Sequence, residues 1–95
     1  MNIHLICKQG DGHENLGSQV FETGNWAISE KVAAEAVGGR VYLHEKQDEP
    51  AWHGGTVTGW RPSKEEGRVV FTYHVDGPFR VKCPGGWGRE KAIIR

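Results

Sequence analysis

The stretch Gly39-Arg40-Val41-Tyr42-Leu43-His44-Glu45-Lys46 decides the fold of this chain. Val41 and Leu43 alternate with Tyr42 and His44, a period of two that an extended strand presents as two opposite faces. Just before it, Ser29 is a good helix N-cap and Glu30 stands where the helix dipole favours negative charge. Val32, Ala33, Ala36 and Val37 then recur at helical spacing until Gly38-Gly39 ends the run. One short helix, 30–37, therefore leads into one strand, 40–46.

Outward from this pair the pattern is β. Residues 55–61 and 68–75 read as strands and 92–94 as a short closing piece. Pro50, Gly54-Gly55, the segment 62–67 and Pro84-Gly85-Gly86 mark the breaks between them. Trp60 falls on the face opposite Val57 unless Gly59 makes a bulge. On the N-terminal side, Ile3, Leu5 and Cys7 alternate with His4, Ile6 and Lys8 and predict a first strand. Residues 10–17 are dense in turn formers and read as a long loop, and 20–28 as either a hairpin about Thr23-Gly24 or an extended approach to the helix. The expected class is α+β: a small, mostly antiparallel β-barrel of about five strands with one short helix.

Ninety-five residues suit one hydrophobic core, so the expected organisation is a single domain, 1–95. Twelve Lys and Arg against twelve Asp and Glu remove the long-range pull of a basic domain on nucleic acid, and any such contact must be local. No apolar stretch approaches the roughly 18 to 20 residues that span a bilayer, so no membrane partner is expected. Cys7 and Cys83 show neither CxxC spacing nor the dense pattern of a secreted scaffold, which predicts reduced thiols and a cytoplasmic setting.

Glu45 ends the column begun by Val41 and Leu43. An unpaired buried carboxylate is costly, so Glu45 reaches solvent at the sheet rim or meets Lys8, Arg61 or a ligand. Four tryptophans, at 26, 52, 60 and 87, exceed what a core of this size needs. Trp52 and Trp87 sit in glycine-rich loops where an indole face is readily offered to a base or a methylated cation. The histidines at 4, 13, 44, 53 and 74 show no metal-ligand grouping with the cysteines, so no metal and no cofactor are expected. A Cys7 and His74 nucleophilic pair has no local motif behind it, and Gly85-Gly86-Trp87-Gly88 lacks the phosphate-loop ending.

Leu5-Ile6-Cys7-Lys8, the Gly39 to Leu43 run after the helix, and Gly55-Thr56-Val57-Thr58-Gly59 together resemble the PUA-like group of small β-barrels, with EVE and ASCH domains the nearest in shape. Gln9-Gly10-Asp11 stands where many EVE domains carry Ser-Glu-Pro. The resemblance implies a mouth between the first strand, the start of the helix and the later loops. There Lys8, Trp26, Glu45, Lys46, Trp52 and Trp87 would bind a modified nucleobase, a nucleoside or a small RNA or DNA element. This predicts a non-catalytic binding module. Two alternatives stay open: a protein-interaction module, such as a small phage or defence-associated factor, and an ASCH-like amidohydrolase acting on acylated nucleosides.

Overall fold

The computed structural model describes residues 1–9 and 13–95. Its elements are β1 (Asn2–Ile6), β2 (His13–Gly17), β3 (Val20–Trp26), α1 (Glu30–Ala36), β4 (Arg40–His44), β5 (His53–Pro62), β6 (Val69–His74) and β7 (Lys91–Ile94). They form one seven-stranded sheet in the order β2-β3-β6-β5-β4-β1-β7. Only β1 and β4 run parallel, with Ile3 opposite Val41 and Leu5 opposite Leu43; the other pairs are antiparallel. Parallel strands are normally covered on both faces. Accordingly Ile3, His4 and Leu5 are all buried, and so are Val41 through His44.

The sheet curls so far that His13 of β2 meets His53 of β5 edge to face, at 4.9 Å between ring centroids. Its concave face holds the core of Ile3, Leu5, Val41, Leu43, Val57, Phe71 and Tyr73. The small side chains Ala33 and Ala36 let α1 lie close against this face. Among the described residues no ladder joins β2 or β3 to β1 or β7, so the sheet is open where a closed barrel of about five strands was expected.

The extra strands come from the 13–26 region. Residues 10–12 lie outside the described part, but 13–17 is not loop: it pairs with β3 around a two-residue turn. Ser18 and Gln19 at that turn have φ of 54° and 62°. Such a turn usually advertises itself with Asn-Gly or Asp-Gly, and Ser-Gln carries no such signal. Gly54-Gly55 likewise lies inside β5. A Cβ on Gly55 would run into the His74 carbonyl, and one on Gly54 would crowd the Val41 carbonyl and sit 3.3 Å from Phe79. These glycines serve close backbone approach, not a turn. The register of β5 on β6 slips between Val57 and Gly59, and that bulge returns Trp60 to the Val57 face, opposite Phe71.

The helix follows its sequence signals. Val32 N donates to Ser29 Oγ at 3.2 Å, and Val37 has already left helical geometry. In a helix of seven residues this cap supplies a large share of the local order. Ser29→Ala is expected to cost about 1 kcal/mol and lower the thermal midpoint by about 5 °C, read from calorimetric melts.

Candidate functional site

The open seam of the sheet runs between the β1/β7 edge and the end of β3. Ile6 N donates to Glu90 O at 2.8 Å on one bank, and Lys91 Nζ crosses to the Ala27 carbonyl on the other. Two hollows lie along it. One, of about 320 Å³, is bordered by Cys7, Lys8, Asn25, Trp26 and Glu90. The next, of about 800 Å³, is bordered by Ala27, Arg68, Gly86, Gly88, Arg89, Glu90 and Lys91. Glu90 is common to both.

Charge is unevenly placed here. Lys8, Arg68, Arg89 and Lys91 line the two hollows against the single carboxylate of Glu90, although the whole chain is neutral. Arg68 Nη1 is 3.8 Å from Glu90 Oε1 and donates to the Asn25 carbonyl at 2.9 Å. Among the described residues neither Lys8 nor Arg89 has a carboxylate partner. A third hollow, of about 410 Å³, is bordered by His13, Glu14, Glu22, Asn25 and Arg61, but there Arg61 is already held by both oxygens of Glu22 at 3.2 Å. Its local balance favours no anion.

The residues expected to converge are divided among three places. Lys8 and Trp26 share the first hollow, but Trp26 is 5 % exposed, packs in the core and donates to Thr23 Oγ1 at 3.1 Å. It supplies a floor more than a stacking face. Glu45 is a half-buried rim carboxylate that accepts from Gln9 N at 3.1 Å, and Trp52 Nε1 donates to the Cys7 carbonyl at 2.7 Å. Both therefore fasten the chain just after β1. Lys46 is exposed, its carbonyl closing a turn with Glu49 N at 3.3 Å. No ion pair joins Lys8 to Glu45 among the described residues.

Trp52 and Trp87 pack against different ring clusters. Trp52 meets His13 and His53, each at 5.3 Å, beside Phe21 and Tyr73 on the concave side. There Tyr73, fully buried, bonds His53 Nδ1 at 2.8 Å, and burial pushes its phenol well above the usual range. His13 Nε2 in this cluster is buried without a hydrogen-bond partner among the described residues. Trp87 lies on the other face, edge-on to His44 at 5.3 Å and His4 at 6.2 Å, with its Nε1 donating to the Gln47 carbonyl at 3.1 Å.

That second face is covered by the segment 75–90. Ala51 N donates to Val81 O at 3.0 Å, and Gln47 Nε2 donates to the carbonyls of Gly88 and Arg89 at 3.0 and 3.2 Å. No disulfide joins Cys7 and Cys83, and no group of three or more His, Cys, Asp or Glu among the described residues is placed to hold a metal. Among the described residues no helix is long and apolar enough to cross a membrane. Compared with protein-family models, curated proteins and solved structures, the chain matches none of them.

Proposed function

We propose that this chain is a non-catalytic binding module that holds a short, phosphate-bearing nucleic-acid element in the seam of its curled sheet. The observation that carries the reading is the gathering of Lys8, Arg68, Arg89 and Lys91 around one carboxylate in a neutral protein. Local positive charge of this kind attracts phosphate without the long-range field of a basic domain. Gly86 presents main chain without a side chain at the border of the hollow, and the exposed Asn25 amide, whose Oδ1 accepts from Ser63 Oγ, offers its N–H donors to a phosphate or a base edge. The end of β1, which borders the first hollow, is also one wall of the mouth that the PUA-like resemblance implies.

The indoles take a smaller part than the sequence suggested. Trp52 and Trp87 both spend their N–H on main-chain carbonyls and pack on neighbouring rings. Recognition therefore rests on charge and hydrogen bonds at the seam.

Titration of a fluorescein-labelled single-stranded 12-mer, DNA and RNA in parallel, tests this by anisotropy. About three phosphate contacts predict an affinity that falls roughly tenfold to twentyfold between 50 and 200 mM salt. Absence of binding at 50 mM salt to either strand sinks the reading.

A further inference from the structure

The cleft wall made by Gly86, Gly88, Arg89 and Glu90 belongs to the same strap that carries Trp87. Beneath that indole lies a pair of imidazoles that the cleft does not use. His4 is 2 % exposed and His44 0 %. His4 Nδ1 is 2.8 Å from His44 Nε2, and His44 Nδ1 is 2.9 Å from the Glu49 carbonyl oxygen.

A carbonyl oxygen only accepts, so His44 Nδ1 carries the hydrogen. In the neutral ring this leaves Nε2 as the acceptor, and His4 must donate to it from Nδ1. The chain thus runs in one direction, from His4 through His44 to Glu49. A proton added at His44 Nε2 would set N–H against N–H, and one added to His4 would place a charge where water does not reach.

The surroundings offer that charge no counter-ion. Tyr42 of β4 stacks on His4 at 4.7 Å, Ala92 of β7 is His4's register partner, and Ile6 of β1 is that of His44. Through Tyr42 the stack meets Arg40, whose guanidinium lies 5.7 Å from that ring and is bound to Asp76. From the 45–52 loop the contact is the Glu49 carbonyl, and from the strap it is Trp87. Among the described residues no carboxylate bonds either imidazole.

Strands β1 and β4 hold the two rings by their shared ladder, whereas the strap is held by few bonds. Around Trp87 these are Trp87 Nε1 to Gln47 O, Gln47 Nε2 to Gly88 O and Arg89 O, and Gly88 N to Lys91 O at 2.8 Å. The end of the strap is tied by Ile6 N to Glu90 O at 2.8 Å and by Arg68 Nη1, 3.8 Å from Glu90 Oε1. Water therefore reaches the imidazoles most easily by displacing the strap. We infer that protonation of the His4–His44 chain lifts the Trp87 strap and dismantles the Arg89 wall of the cleft, so that mild acid releases the ligand. The release half rests on the cleft being the ligand site; the strap movement does not. Burial holds both imidazoles below the usual histidine range, His4 at about 4, so the open, hydrated form gains protons and population as pH falls below about 6.5.

The direction is diagnostic. Added histidine charge alone would strengthen binding to a phosphate backbone in acid, whereas the strap mechanism weakens it. Hydrogen exchange of the intact chain, corrected for intrinsic rates, is expected to show residues 86–89 losing at least tenfold more protection from pH 7.5 to 5.0 than β5 and β6, whose loss reports the fall in global stability. The labelled 12-mer is expected to bind at least tenfold more weakly at pH 5.0. The double variant His4→Gln, His44→Gln should abolish both differences; if it does not fold, exchange of the native chain decides. Strap protection that is unchanged, or that falls no further than that of β5 and β6, overturns the inference. Strap opening without binding at either pH supports the switch and removes the cleft reading.

Discussion

Thermal melts at pH 7.5 and 5.0 are expected to differ by about 10 °C, with the acid sample the less stable. Four histidines carry the effect. His4, His44, His13 and His53 all have folded-state affinities for protons lowered chiefly by burial, reinforced at His4 by its neighbour His44 and at His53 by its neighbour His13. The unfolded chain takes up protons near pH 6.5 while the folded one resists, so stability is fully present above that value and is lost as pH falls toward the folded values. For His4, with a folded value of about 4, the loss is on the order of 2 kcal/mol at pH 5. Each kcal/mol moves the midpoint of a domain this small by about 4 to 8 °C. Lifting of the Trp87 strap hydrates His4 and His44 and so limits their share. His13 and His53, set in the concave ring cluster, have no such relief. Below the carboxylate range Asp76 adds to the trend, because its hydrogen bonds from Thr56 and its Arg40 partner hold its carboxyl low. Equal midpoints at the two pH values would mean that these rings are not held proton-free in the folded state.

The acid response also shows where sequence reading succeeds and where it stops. The period of two puts His4 opposite Ile3 and Leu5, and His44 opposite Val41 and Leu43, and the structure keeps both assignments. The same pattern implies that the histidine face looks outward, because period alone cannot reveal a covering layer. That layer is the 75–90 segment, which has no periodicity and reads only as glycine- and proline-rich linkage. The helix and β4 were legible because cap, dipole and spacing agree locally. The β2–β3 hairpin was not, because Ser18 and Gln19 adopt positive φ without the residues that usually announce it. For Glu45 the pattern leaves open the rim or a partner such as Lys8, Arg61 or a ligand; the structure has it half-buried with a main-chain N–H as partner, which no side-chain pattern predicts. At the seam, Arg68, Arg89 and Lys91 stood unremarked because each is balanced in the sequence by a neighbouring acid or glycine. Their common sign emerges only when the curl brings β6, the strap and β7 to Lys8.

The same assembly of charge makes reversal at the seam the sharpest probe of function. Lys8→Glu combined with Arg89→Glu is expected to weaken binding of the 12-mer about a hundredfold at 50 mM salt, roughly tenfold for each site. Neither cation has a carboxylate partner among the described residues and both side chains are exposed, so their loss leaves no charge stranded and the melting midpoint should move by no more than about 3 °C. Arg68→Glu is a poorer choice, because Arg68 also bonds the Asn25 carbonyl and faces Glu90. Lys31→Glu, on exposed α1 and bordering neither hollow, reverses a charge of the same sign and should change affinity by less than about threefold. The salt dependence should fall with the contacts, its logarithmic slope shrinking by about 0.7 for each phosphate contact removed. If Lys31→Glu costs as much as the seam pair, attraction is spread over the surface and the seam holds nothing in particular. If the seam pair alone is lost and the slope drops, the phosphates lie along the gap between β1 and the end of β3.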